Sequence, residues 1–183
     1  MAYRNGTYIA FHAGGTSDPT ASDIRYYRML KAWHEHDNID FKFINSHEKV
    51  AAVRDSSSKE TLRRSLKERL NNSRNMVLIV GPTTKLDTDW VPFEIEYAVD
   101  ECGLPIIAVY TGYEKITAPS ELRDLWPTAF AKRIANSTVR AIHIPFKQAA
   151  IDDAIGQFDH GKLPATALNY YTLEAHRAFG IKC

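Results

Sequence analysis

Residues 76–80 read Met-Val-Leu-Ile-Val, an unbroken apolar run followed by Gly81-Pro82. A strand with one wet face alternates apolar and polar residues, whereas a run apolar at every position needs cover on both faces, as in a central parallel strand. Parallel neighbours require crossover connections, so helices must lie between the strands. The chain supplies them. Strand-prone segments at 7–11, 39–44, 104–111 and 139–144 alternate with helical patterns. The first helix follows Ser22 and carries Tyr26, Leu30 and Trp33 as an apolar stripe. The second opens on a Ser57/Glu60 capping box and keeps Leu62, Leu66 and Leu70 four apart. A third starts near Trp90, capped by Thr88 or Asp89, with Pro92 in its first turn, Ile95, Ala98, Val99 and Cys102 facing inward, and Gly103 ending it. Residues 120–133 and 147–158 complete the alternation.

Five strands separated by helices predict an α/β fold: a flavodoxin-like three-layer sandwich with a five-stranded parallel sheet. This domain is expected over 1–158. Residues 159–183 are expected to form a C-terminal helical extension packed on it, not needed to complete the sheet. Lys+Arg number 23 against Asp+Glu 22, a balance that speaks against nucleic acid and membrane surfaces as partners. Two cysteines, Cys102 and Cys183, read as unpaired thiols of a reducing compartment, and neither a signal peptide nor a span of roughly 18 apolar residues is visible. A cytoplasmic location is expected.

In sheets of this kind ligands bind beyond the carboxyl ends of the strands. The loops there bring polar groups at 12–18, 45–48, 82–90 and 111–114 to one rim. Glu94 is the carboxylate of most interest: its helical spacing sets it one turn after Trp90, at the border of the buried face and near the rim, while Glu96 should face water. A first-turn carboxylate complementing the helix dipole is the alternative reading. His34-Glu35-His36 does not make a metal site, because residues two apart diverge by about 200° on a helix. Gly14-Gly15-Thr16-Ser17 matches neither the P-loop nor the dinucleotide fingerprint.

Trp90-Val91-Pro92-Phe93-Glu94 resembles the Trp-x-x-x-Glu signature of TIR domains, at the family's place after the third strand and at the start of the next helix. Tyr8-Ile9-Ala10-Phe11-His12 is similar to that family's first strand, and residues 71–81 resemble its approach to the central strand. The Phe-His ending of strand one and the Trp-Val-x-x-Glu-Ile form resemble in particular the TIR-like proteins of the bacterial Thoeris antiphage system. The likeness covers about residues 7–146. It implies an enzyme that cleaves NAD, its substrate, with Glu94 as the catalytic residue and no cofactor or metal. Phe11 and His12 are implied near the nicotinamide half, Trp90 as a wall of the ribose pocket, and Asn45 and Ser46 at the end of strand two. Each has a structural alternative: packing for Trp90, a loop histidine for His12, turn formation for Asn45 and Ser46. The resemblance further implies self-association through TIR–TIR contacts and a diffusible ADP-ribose-derived signal read by a downstream effector. A non-catalytic TIR interaction module is the rival, and a flavin-binding or receiver domain the third reading.

Overall fold

The computed structural model describes residues 4–13, 23–37, 43–44 and 56–183. Strands β1 (Gly6–Ala10), β2 (Phe43–Ile44), β3 (Ser73–Val80), β4 (Ile106–Tyr110), β5 (Ala141–Pro145) and β6 (Asn169–Tyr170) form one sheet in the order β2-β1-β3-β4-β5-β6. Every pairing is parallel. Helices α1 (Ile24–Asp37), α2 (Ser56–Asn71), α3 (Trp90–Glu96), α4 (Thr128–Ala135), α5 (Gln148–Gln157) and α6 (Leu173–Ala178) follow in chain order. The five expected strands and the flavodoxin-like α/β architecture are present.

Strand β3 explains the two-sided core. Met76, Leu78 and Val80 enter a cluster with Leu62, Leu66 and Leu70 of α2, Val91 and Ile95 of α3, and Phe130 of α4. Val77 and Ile79 enter the opposite cluster with Tyr27 and Leu30 of α1 and Ile151 and Ile155 of α5. Alternate residues thus serve different faces, and no position can be polar without a buried partner.

Several sequence expectations are corrected. The stripe of α1 that meets the sheet is Ile24, Tyr27 and Leu30; Tyr26 and Trp33 are half-buried at its margin, against Phe146. The segment 120–133 is two helices, a 3-10 stretch Pro119–Leu125 and α4, because Pro127 forces the extended conformation seen at Trp126. The α3 helix runs on as a π turn, Tyr97–Glu101, closed by a Cys102 N–H bond to the Tyr97 carbonyl at 3.1 Å, and Gly103 then adopts φ +64°.

The tail differs most. Residues 168–175 are not one helix: Asn169–Tyr170 pairs with β5 as a sixth strand, and α6 begins only after Thr172, whose side chain accepts the Ala175 N–H. The sheet therefore includes the tail. A buried chain of hydrogen bonds ties it there. Trp126 Nε1 donates to the Tyr110 hydroxyl at 2.7 Å, and that hydroxyl reaches His143 Nδ1 at 2.7 Å. Indole can only donate, so Tyr110 passes its proton toward Nδ1, and His143 donates from Nε2 to the Ala167 carbonyl at 2.9 Å. His176 is likewise buried, donating from Nδ1 to the Thr172 carbonyl and accepting the Ile116 N–H at Nε2, which joins α6 to the loop after β4.

Burial pushes His143 down to about 4, against a smaller upward pull from its bond to Ala167. The unfolded chain binds a proton at this residue between about pH 6.5 and pH 4 while the native state does not, so stability falls as pH falls through that window. The difference corresponds to about 3 kcal/mol. Urea unfolding of wild type and His143→Gln across pH 4–7 is expected to show a flatter pH dependence in the variant.

Candidate active site

The strand order reverses between β1 and β3, since β2 lies outward of β1 on one side while β4 and β5 continue on the other. This switch point opens the crevice in which ligands of such sheets are held. Its described rim is built from His12 after β1, Asp23 at the start of α1, and Gly81, Thr84 and Asp87 after β3.

Two ties close this rim. The Asp23 backbone N–H bonds the His12 carbonyl at 3.0 Å, and its carboxylate accepts from the Thr84 hydroxyl at 2.7 Å; that hydroxyl in turn accepts the Gly81 N–H at 2.7 Å. Burial pushes the Asp23 carboxyl up, and the Thr84 bond works against that. Asp87 forms the second tie. Its Oδ1 accepts the Asp89 and Trp90 N–H groups at 3.0 and 2.8 Å, while Oδ2 faces His12 Nδ1 at 3.5 Å. Asp87 therefore caps α3, in place of the expected Thr88 or Asp89; Asp89 occupies the cap position without a side-chain cap bond. The Asp89 carboxylate instead pairs with Lys59 and Arg63 of α2 at 2.7 and 3.1 Å.

Glu94 lies one turn into α3 and is wholly buried. It does not stand at the rim as its spacing suggested. Its carboxylate accepts a hydrogen bond from the Tyr8 hydroxyl, deep in β1. Tyr8, Ala10 and His12 alternate down one face of the first strand, so α3 runs back along that face, with Asp87 beside His12 and Glu94 beside Tyr8. Glu96 is exposed, as its helical angle requires.

The remaining candidates separate. His12 is half-buried at the rim and joined to Asp87. Trp90 is buried in the α2–α3–α4 core, with the Lys59 and Arg63 cations 5.9 and 6.0 Å from its ring centre. Phe11 is fully buried on the opposite face of the sheet, stacked on Tyr27 at 4.9 Å between ring centres, and does not share a face with Glu94. Asn45 and Ser46 lie outside the described residues. Sequence reading passed over Tyr8, Asp23, Thr84 and Asp87. An Asp three residues before Trp90 was the available capping signal, and a tyrosine two positions before Ala10 on the inner face of β1 was the other.

Gly81 allows the rim to close. A Cβ there would sit 2.2 Å from Asp23 Oδ1 and 3.2 Å from Thr111 Oγ1. Gly81→Ala must expel the buried Asp23 carboxylate from its bond to Thr84, and is expected to destabilise the protein by about 1–3 kcal/mol in chemical denaturation.

The sequence family described as "Thoeris protein ThsB, TIR-like domain" matches residues 8–116. The match is more than half of the chain, runs from β1 through β4 into the following loop, and contains His12, Asp87, Trp90 and Glu94. With a parallel sheet in flavodoxin-like order and the Trp90–Glu94 motif opening the helix after β3, the chain belongs to the TIR-like domain family of the Thoeris protein ThsB.

Proposed function

We propose that this protein cleaves NAD between ribose and nicotinamide, with Glu94 as the catalytic carboxylate, and releases an ADP-ribose-derived signal in Thoeris antiphage defence. The observation that carries the reading is the Trp90–Glu94 motif at the start of α3 within the matched region, which sets a carboxylate in an interior position where an apolar side chain would pack at less desolvation cost.

The chemistry needs little machinery. Nicotinamide in NAD is a pyridinium cation and departs neutral as the bond to C1′ breaks with its electron pair, so the leaving group requires no proton. Positive charge then develops on the ribose, and one fixed carboxylate can stabilise it, where ordinary glycoside hydrolysis employs two. Capture by water releases a proton and gives ADP-ribose; capture by an atom of the same nucleotide gives a cyclic isomer, and capture by a second molecule a conjugate. His12, Trp90, Asn45 and Ser46 are the residues this reading places around the substrate. Phe11 supports the end of β1 from the other face. Self-association through TIR–TIR contacts and an effector reached by the diffusible product belong to the same proposal.

The Tyr8–Glu94 bond favours a second reading, an interaction module without turnover in which that bond is a core tie. Turnover requires the ribose to reach this carboxylate. Incubation of concentrated protein with NAD, with products separated by chromatography and mass, distinguishes the two. The enzyme reading expects nicotinamide release, reduced by about 100-fold or more in Glu94→Gln; equal rates in both proteins, or none in either, would leave the interaction module.

A further inference from the structure

Tyr8 and Glu94 come from elements that meet only through tertiary packing, and both are fully buried. Phenylalanine would fill nearly the same volume as Tyr8. The hydroxyl adds only a polar group that must find a partner in the core, and its partner is the Glu94 carboxylate. The ring stands on a rigid base. Tyr8 is paired with Ile44 of β2 on one side and Met76 of β3 on the other, so its backbone is fixed in the sheet interior. Glu94, by contrast, has a long side chain whose rotamers a short helix does not set.

We propose that Tyr8 is a positioning residue for Glu94: a phenol mounted on the interior strand β1 holds Oε1 and thereby aims the carboxylate in the NAD-cleaving reaction proposed above, on which this inference rests. Burial, and then the charge and hydrogen bond of Glu94, push the Tyr8 hydroxyl well above its ordinary value, so it remains a donor at every pH the protein meets. Arg69, near the end of α2, acts on Tyr8 in the opposite direction. Tyr8 touches no reacting atom. Its effect is on the geometry of the group that does, and a carboxylate shifted from the orientation that this bond sets stabilises the ribosyl cation less.

The test uses the full chain in three forms: wild type, Tyr8→Phe and Glu94→Gln. Steady-state NAD kinetics on Tyr8→Phe should show kcat lowered about tenfold, the scale of one hydrogen bond to a charged group, with KM close to wild type. A loss confined to folding would instead lower the active fraction and the melting temperature together. The second measurement needs no change at Tyr8. In protein carrying carbon-13 tyrosine, the Tyr8 Cζ resonance should move between wild type and Glu94→Gln, well beyond the shifts of the other tyrosines. Unchanged or faster turnover in Tyr8→Phe, or a Tyr8 resonance indifferent to Glu94, overturns the positioning role. An active wild type with an indifferent Tyr8 resonance removes Tyr8 alone. A responsive resonance in a protein that leaves NAD intact removes the NAD reading, and the positioning role with it.

Discussion

A parallel sheet covered on both faces has no solvent for the polar groups that enter it, and the fold depends on each of them meeting a partner inside. Asn75 shows the rule at the lower edge. It accepts from the Thr7 hydroxyl and donates to the Ile155 and Phe158 carbonyls, joining β3, β1 and the end of α5 in one buried cluster. Tyr110 and His143 do the same between β4, β5 and the tail, and Asp23 with Thr84 at the upper edge. Each tie links elements distant in sequence. Removing one partner leaves the other desolvated and unsatisfied, which costs more than the bond itself contributes.

The same constraint shapes the site. At the switch point the described segments after β1 and β3 are bridged by polar contacts, Asp23 to Thr84 at 2.7 Å and His12 to Asp87 at 3.5 Å. Asp87 serves both purposes, since one oxygen caps α3 and the other meets His12. The direction of α3 is set at that cap, and with it the depth at which Glu94 meets β1. Rim and carboxylate are therefore parts of one construction.

Much of this was legible in the sequence. The apolar run at 76–80 implied cover on both faces, the leucines at 62, 66 and 70 gave the buried stripe of α2, and the alternation of patterns gave the sheet's class. Periodicity reports which face is apolar, and it places a helix angle to within about a residue; hence α1 turned by one position, with Tyr27 inward in place of Tyr26. It does not report depth. Glu94 was placed on the correct side of α3, but its full burial depends on the tyrosine opposite, a contact 86 residues away in sequence. The tail was misread for a related reason. A two-residue strand has no period, and Asn169–Tyr170 is a strand only because β5 offers it a row of hydrogen-bonding groups.

That short strand has a further consequence. An open sheet invites strand addition wherever a long flat edge meets solvent, and β5 would be such an edge. The chain covers β5 with its own β6, which offers two residues of backbone to any newcomer and is held from within by the His143 bond to Ala167. A version of this chain shortened to its first five strands would expose β5 as a sheet edge and leave the buried His143 without its Ala167 partner. Residues 169–170 thus act as a short stopper on this flank of the sheet.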